Sequence, residues 1–303
     1  MSTTSLEKRV LGGTGMSVSV LGFGGSEIGY EQTPAETVER LLGSALDAGL
    51  NVIDTAECYL ASEELIGRAL SHRRHDFYLF TKCGHAAGLD APDWSPRLLM
   101  QSIERSLSRL RTDYLDLIQL HSCSADVLRE GAVVEVLQRA REEGKTRFIG
   151  YSGDGHDALY AIESGAFDTL QTSVNIADQE ALELTLPRAR ERGMGVIAKR
   201  PIANAAWKHS TRPENTYVQP YWERLRKLDY DFLKRSTSDA VSIALRFTLS
   251  VPGIHTAIVG TTKPGRWREN ARLLAAGSLS QEEFAAIVAR WKSVAAPDWG
   301  GEV

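Results

Sequence analysis

The chain has 303 residues, 43% of them hydrophobic, which is enough for an extensive core and argues against a disordered or disulfide-stapled scaffold. Its 35 basic and 39 acidic residues leave a formal net charge of −4, a balance with no attraction for nucleic acid or for an anionic membrane. Residues 1–9 lack the apolar core of a signal peptide and no run approaches a membrane span; the three cysteines, Cys58, Cys83 and Cys123, form an odd set suited to a reducing compartment, so a cytoplasmic location is expected.

In chain order, Val10-Leu11-Gly12-Gly13-Thr14-Gly15 and the alternating Met16-Ser17-Val18-Ser19-Val20 read as a glycine-turned hairpin leading into a strand that ends at Leu21-Gly22-Phe23-Gly24-Gly25. A helix is expected from Thr33 as N-cap, with Pro34 at the first position, apolar residues at Val38, Leu41, Leu42, Ala45 and Leu46, and a stop at Gly49. Asn51-Val52-Ile53 is a short strand that halts at Asp54, and Ser62 caps a helix that runs to Leu70. Further strands are expected over 77–82, 115–121, 146–151, 169–173, 194–198 and 257–260, with helices over 95–110, 127–143, 158–164 and 180–192. Residues 202–236, rich in Pro, Trp and Tyr, form an insertion after the seventh strand, and residues 284–294 form a terminal helix outside the repeat.

Counted from Val18, eight alternating units point to an α/β protein with a (β/α)8 TIM barrel, an N-terminal β-hairpin and an additional C-terminal helix, in one domain over 1–303. Each right-handed crossover sets the next strand beside the last until the sheet closes. In such a barrel Asp54 and Tyr59 follow the second strand, Lys82 ends the third and His121 ends the fourth, so all four converge at the carboxyl-end mouth. Taken singly, Asp54 has a plain role as a helix cap, Tyr59 as a rim residue, Lys82 as a snorkelling cation and His121 as a satisfied core residue. Together they make a proton-delivery site: a phenol, ordinarily titrating near ~10, needs a neighbouring cation to become a useful acid. Lys82 can be that cation, Asp54 its ion-pair partner, and His121 the donor that orients a substrate oxygen beside Tyr59.

The segments Asp54-Thr55-Ala56-Glu57-Cys58-Tyr59 with Ser62-Glu63-Glu64-Leu65-Ile66-Gly67, Thr81-Lys82, and Asp116-Leu117-Ile118-Gln119-Leu120-His121 resemble those of the aldo-keto reductase superfamily over nearly the whole chain. The opening hairpin and Leu21-Gly22-Phe23-Gly24 fit as well. The resemblance implies NAD(P)H-dependent reduction of a small-molecule aldehyde or ketone, with Tyr59 as general acid, Lys82 lowering its pKa, Asp54 anchoring Lys82, and His121 placing the carbonyl. No metal is required, and Cys58, Cys83 and Cys123 with His85 and His121 match no compact zinc spacing.

By position, Thr261 and Arg266 would contact a 2′-phosphate, with Lys263 adding charge, while Glu269 and Asn270 would meet the adenine; NADPH is therefore favoured over NADH. Ser152 and Gln171 fall where the family holds the nicotinamide carboxamide, but Gly153 replaces the usual Asn, leaving Asp154 or Asn175 as substitutes. Lys199-Arg200-Pro201-Ile202 replaces an aromatic-Ser-Pro-Leu segment, so the stacking ring is missing; Arg200 either takes its place or faces the pyrophosphate with Lys199. The substrate pocket is expected to draw on Ser26, Trp94, Trp207, Tyr217, Tyr221 and Trp222, and the resemblance makes a monomer or weak homo-oligomer the expected state. A different function, an NADPH-binding redox-sensing or regulatory subunit with little turnover, is the alternative, and a redox-sensitive thiol near Lys82 would accompany it.

Overall fold

A computed structural model describes residues 6–302; residues 1–5, part of the opening segment read above, and residue 303 lie outside the described residues. Strands β1 (Lys8–Val10) and β2 (Ser17–Ser19) form an antiparallel ribbon in which Lys8 faces Ser19 and Val10 faces Ser17. Eight parallel strands then close a barrel in sequence order: β3 (Leu21–Gly24), β4 (Val52–Asp54), β5 (Tyr78–Cys83), β6 (Leu115–His121), β7 (Thr146–Ser152), β8 (Thr169–Ser173), β9 (Gly195–Lys199) and β10 (Thr256–Gly260). Closure is made where Ile258 of β10 pairs with Gly22 of β3.

The period-two geometry of strands sorts the barrel interior into layers. Val52, Phe80, Leu117, Ile197 and Ile258 make an apolar lower layer, plugged from below by Leu11, Met16 and Val18 of the hairpin. Two residues further along the same strands, Asp54, Lys82 and Gln119 replace it with a polar layer. The sequence pairs Val52/Asp54, Phe80/Lys82 and Leu117/Gln119 therefore place charge directly on a dry floor.

Helices surround the barrel and bury their apolar stripes against its outer face. They are α1 (Ser26–Tyr30), α2 (Ala35–Leu46), α3 (Ser62–Leu70), α4 (Pro96–Leu110), α5 (Ala125–Glu130), α6 (Ala132–Glu142), α7 (Gly155–Ser164), α8 (Ala181–Leu184), α9 (Leu186–Glu191), α10 (Gln219–Leu228), α11 (Thr237–Ser250), α12 (Arg266–Leu273) and α13 (Gln281–Val294). Ser95, expected as the first residue of this helix, is its N-cap, accepting from the Leu98 N–H.

Several local expectations are corrected. The run expected as one strand through Val18 is split, because the Ser19 amide bonds Asn51 Oδ1 at 2.6 Å while the Val20 carbonyl accepts from Ala257, so the hairpin and β3 belong to different sheets. Thr33 is not the cap of α2, whose N-cap is Pro34. Ser62 does not cap α3 either: Ala61 does, and the Ser62 hydroxyl donates to the Gly25 carbonyl at 2.7 Å. The helix expected over 127–143 is two, since Gly131 adopts φ +80° between α5 and α6. That over 180–192 is also two, divided just before Pro187. The insertion after β9 carries α10, and α13 begins at Gln281 behind a capping box of Ser280 and Glu283.

Candidate active site

Backbone pairing continues past the end of β4, with Thr55 N–H bonded to Phe80 O at 2.9 Å and Glu57 N–H to Lys82 O at 3.1 Å. The loop carrying Cys58 and Tyr59 is thereby laid over Lys82. Ser62 secures it, pairing with the Thr55 hydroxyl at 2.8 Å as well as with Gly25.

Asp54 and Lys82, 2% and 1% exposed at their side chains, form a buried ion pair through Asp54 Oδ1. Such a pair persists only if its remaining valences are filled. Here they are: Asp54 Oδ2 accepts Gln171 Nε2 at 2.8 Å and Gln119 Nε2 at 3.2 Å, and the ammonium donates to Thr55 O at 2.8 Å. Lys82 Nζ stands 5.3 Å from the centre of the Tyr59 ring, whose hydroxyl lies 3.5 Å from His121 Nε2. The four residues expected at the mouth are thus brought together. Gln119 was missed, although it shares the inward face of β6 with His121, two residues away.

Burial, then the Asp54 carboxylate, pushes the Tyr59 phenol well above its ordinary value, and Arg200 pulls the other way. In the ligand-free protein the phenol is therefore firmly protonated, as a proton donor must be. Burial, then the charge of Lys82, pushes His121 well below its usual range, so its imidazole is neutral. Its Nδ1 faces the Cys58 thiol at 3.5 Å. Burial holds that thiol up at about 11 despite Lys82; an S–H given to Nδ1 would put the ring hydrogen on Nε2, toward the Tyr59 oxygen. A thiol so protonated lacks the thiolate character expected of a redox sensor.

Two further carboxylates brace the loop from behind. Glu57 pairs with Arg105 and, at 3.1 Å, with Arg109 of α4, and Glu63 Oε1 accepts the Thr81 hydroxyl at 2.7 Å. Burial raises the Glu63 carboxyl from its ordinary 4.5 to about 7. A folded state that binds this proton more tightly than the unfolded chain is favoured most below the unfolded value; that contribution is lost as pH rises through about 7. Glu63→Gln, which keeps the shape of the neutral acid, is expected to remove on the order of 3 kcal/mol of the stability lost between mildly acidic and mildly alkaline pH. Urea midpoints measured across that interval would test this; parallel curves for variant and parent would contradict it.

The residues matched to a cofactor divide into three groups. Ser152 Oγ donates to Gln171 Oε1 at 3.3 Å, and Gln171 continues to Asp54, tying this pair to the polar layer. Lys199 forms a 2.7 Å ion pair with Asp154, which also accepts Thr172 Oγ1 and the Ser173 N–H. Asp154 is thus already engaged, whereas the buried Asn175 amide nitrogen is unpartnered. Arg200 donates to Ser173 Oγ at 2.9 Å, to Tyr217 OH at 2.6 Å and to the Glu302 carbonyl, with its guanidinium over the Tyr217 ring.

Thr261, Lys263, Arg266, Glu269 and Asn270 lie apart from these, on the loop after β10 and the first turns of α12. Thr261 Oγ1 accepts the Lys263 N–H at 3.1 Å, Arg266 pairs with Glu269 at 3.1 Å, and Asn270 is buried. Lys208, from the insertion, joins this end: burial, then Arg266 and Lys263, lowers its ammonium. Sequence reasoning missed Lys208 because no local pattern links it to residues 263–266. Three cations beside the N-terminus of α12, with one acid among them in an ion pair, fit a phosphate-bearing nucleotide.

The family model for the Aldo/keto reductase family matches residues 20–292. L-galactose dehydrogenase of Arabidopsis thaliana is 30% identical over 282 residues, covering 88% of each chain. A 6-dehydroglucose reductase of Novosphingobium aromaticivorans is 33% identical over 178 residues, 54% of this chain and 57% of that one. Among solved structures, the holo form of aldo-keto reductase AKR11C1 from Bacillus halodurans superposes with a TM-score of 0.82 at 26% identity, covering 97% of this chain and 99% of that one.

Proposed function

Because the chain belongs to the aldo/keto reductase family, we propose that it reduces an aldehyde or ketone to the alcohol using NADPH, as a single domain over 1–303 with Tyr59 as the proton donor. The observation that carries this is the protonated Tyr59 hydroxyl 3.5 Å from His121 Nε2, above the buried Lys82–Asp54 pair.

A reduced nicotinamide, when bound, supplies hydride to the carbonyl carbon. The chain's own residues handle the oxygen. His121 Nε2–H and Tyr59 O–H converge on one point, where they orient the carbonyl and stabilise the negative charge that grows on it. Tyr59 then gives up its proton, and the charge so formed is met by the Lys82 ammonium 5.3 Å from the ring centre, which Asp54, with Gln119 and Gln171 on its other oxygen, holds in place. The lowering of the Tyr59 value by Lys82 expected on sequence grounds is corrected for the ligand-free protein, where burial and then Asp54 raise it.

Ser152 and Gln171 would hold the nicotinamide carboxamide, with Asn175 as the substitute donor, since its nitrogen is free and Asp154 is committed to Lys199. Arg200 would face the nicotinamide side of the mouth, a reading supported by its bond to Ser173 Oγ and by its charge acting on Tyr59. Thr261, Lys263, Arg266 and Lys208 would bind the 2′-phosphate, and Glu269 and Asn270 would meet the adenine. Arg266→Met is expected to weaken NADPH binding about 10- to 30-fold and NADH binding less than about twofold, the loss of one charge-assisted phosphate contact. Fluorescence titration with both nucleotides would check this, and equal losses would remove Arg266 from the phosphate site.

Both relatives named above carry sugars in their names, and we extend that class to this chain: a hydroxylated carbonyl is the substrate type we favour. Among the described residues no helix is long and apolar enough to cross a membrane. A cytoplasmic enzyme, monomeric or weakly associating, completes the proposal. It is tested by following reduced-nicotinamide absorbance with a panel of aldehydes, ketones and aldoses. Tight NADPH binding without turnover of any of them would instead favour a regulatory nucleotide-binding subunit.

A further inference from the structure

Tyr59 closes a four-residue turn, its N–H donating to the Ala56 carbonyl at 3.0 Å, and Glu57 is the second residue of that turn. Both peptide groups of Glu57 are tied to neighbouring elements. Its N–H donates to the Lys82 carbonyl at 3.1 Å, and its own carbonyl accepts Arg109 Nη1 of α4 at 3.2 Å. The turn that carries the phenol is therefore fixed on one side to the residue whose ammonium stands beneath that phenol, and on the other to a helix.

The Glu57 side chain is 1% exposed, and its Oε1 receives both Arg105 and Arg109, which lie one turn apart on the same face of α4. Burial raises this carboxyl, and the two guanidinium groups oppose the rise. The helix itself is held close: a Cβ at Gly67 of α3 would stand 2.2 Å from the Arg109 carbonyl oxygen, so α3 and α4 meet backbone to backbone. That approach leaves Arg109 between Glu57 and Glu64, whose Oε1 lies 3.3 Å from Arg109 Nε. Arg105 reaches further, donating to the Ala86 and Ala87 carbonyls at 3.3 and 3.1 Å. Those carbonyls belong to the loop after β5 that carries His85, whose ring centre is 5.4 Å from that of His121. One helix thus grips the two loops that flank the Tyr59–His121 pair, and it grips the first of them through a buried carboxylate.

Packing alone does not call for a carboxylate at this position. An apolar side chain of similar size would fill the space without the cost of desolvating three charges. An ion pair adds direction, because hydrogen bonds from two guanidinium groups fix the angle of the turn as well as its depth. We propose that Glu57, held by Arg105 and Arg109, is a positioning residue for the reduction: it sets where the Tyr59 hydroxyl stands relative to Lys82 and His121, and through that the rate of proton transfer. This rests on Tyr59 being the proton donor, as proposed above, and gives Glu57 no contact with substrate or nucleotide.

The test is a double-mutant cycle read by single-turnover kinetics with NADPH and glyceraldehyde, or with the fastest carbonyl of the panel above in its place. Glu57→Ala is expected to lower kcat about 50-fold, the consequence of displacing a reacting group by up to about 1 Å. The KM for the carbonyl and the Kd for NADPH are expected to stay within about threefold of the parent, since neither ligand loses a contact. In the Tyr59→Phe background the same change is expected to lower kcat less than about twofold, because no phenol is left to position. A merely structural role would lower both backgrounds alike. Glu57→Gln keeps the size of the side chain and one acceptor oxygen while removing the charge; a loss of about tenfold, with the same dependence on Tyr59, is expected. This variant carries the cycle by itself if the alanine variant does not fold. Equal losses in the two backgrounds, or a kcat for Glu57→Gln and Glu57→Ala within about twofold of the parent, would overturn this proposal and leave Tyr59 as the donor. A Tyr59→Phe enzyme within about tenfold of the parent would overturn the donor assignment and this proposal with it.

Discussion

Tyr59→Phe is expected to lower kcat for carbonyl reduction by about 10³- to 10⁴-fold while leaving NADPH affinity within about threefold of the parent. Only one oxygen is removed: the ring remains 5.7 Å from Tyr30 and 5.6 Å from His121, so the loop has no reason to move. His121 cannot take over, because burial and Lys82 keep its imidazole neutral and its remaining N–H is far too weak an acid. The parent should show a reduction rate that is flat through neutral pH, since burial holds the phenol protonated there, and that falls only in alkali. Single-turnover mixing with NADPH separates the chemical step from product release. A variant within tenfold of the parent would place the proton source elsewhere and sink the assignment.

Lys82→Met should have a comparable kinetic effect with a different thermodynamic signature. The phenolate loses its neighbouring cation, which is expected to lower kcat about 10³-fold. In addition Asp54 is left buried with two amide donors and no charge partner, which costs about 3–5 kcal/mol. Tyr59→Phe carries no such penalty. Combining Lys82→Met with Asp54→Asn should recover much of the lost stability but none of the activity, because the uncompensated charge is gone while the cation is still absent. Urea denaturation of the two single variants and the double variant measures this coupling. Additive stability losses would show that the pair does not interact as its geometry requires.

The barrel was legible because most of its strands are short, largely apolar runs alternating with helices, and the order of such runs leads to a closed sheet once every crossover is right-handed. Helix boundaries were less so. Ser62 has the composition of a cap but spends its hydroxyl on Gly25, a residue 37 positions away, and the helix expected across Gly131 breaks because that residue takes a left-handed conformation. In both places a contact or dihedral outside the local pattern outweighs propensity.

The sequence by itself determined the barrel and which polar residues stand at its mouth, because a period of two along a strand decides which side chains share a face and where each strand ends. Only the tertiary structure decided how those residues are charged and paired. That Asp54 is held by Gln119 and Gln171 as well as Lys82, that Asp154 is committed to Lys199, that Lys208 joins Arg266, and that His85 stands against His121 are all products of closure. Electrostatics and hydrogen bonding act over a few ångströms of space, and the barrel brings within that range residues that are tens of positions apart in the chain.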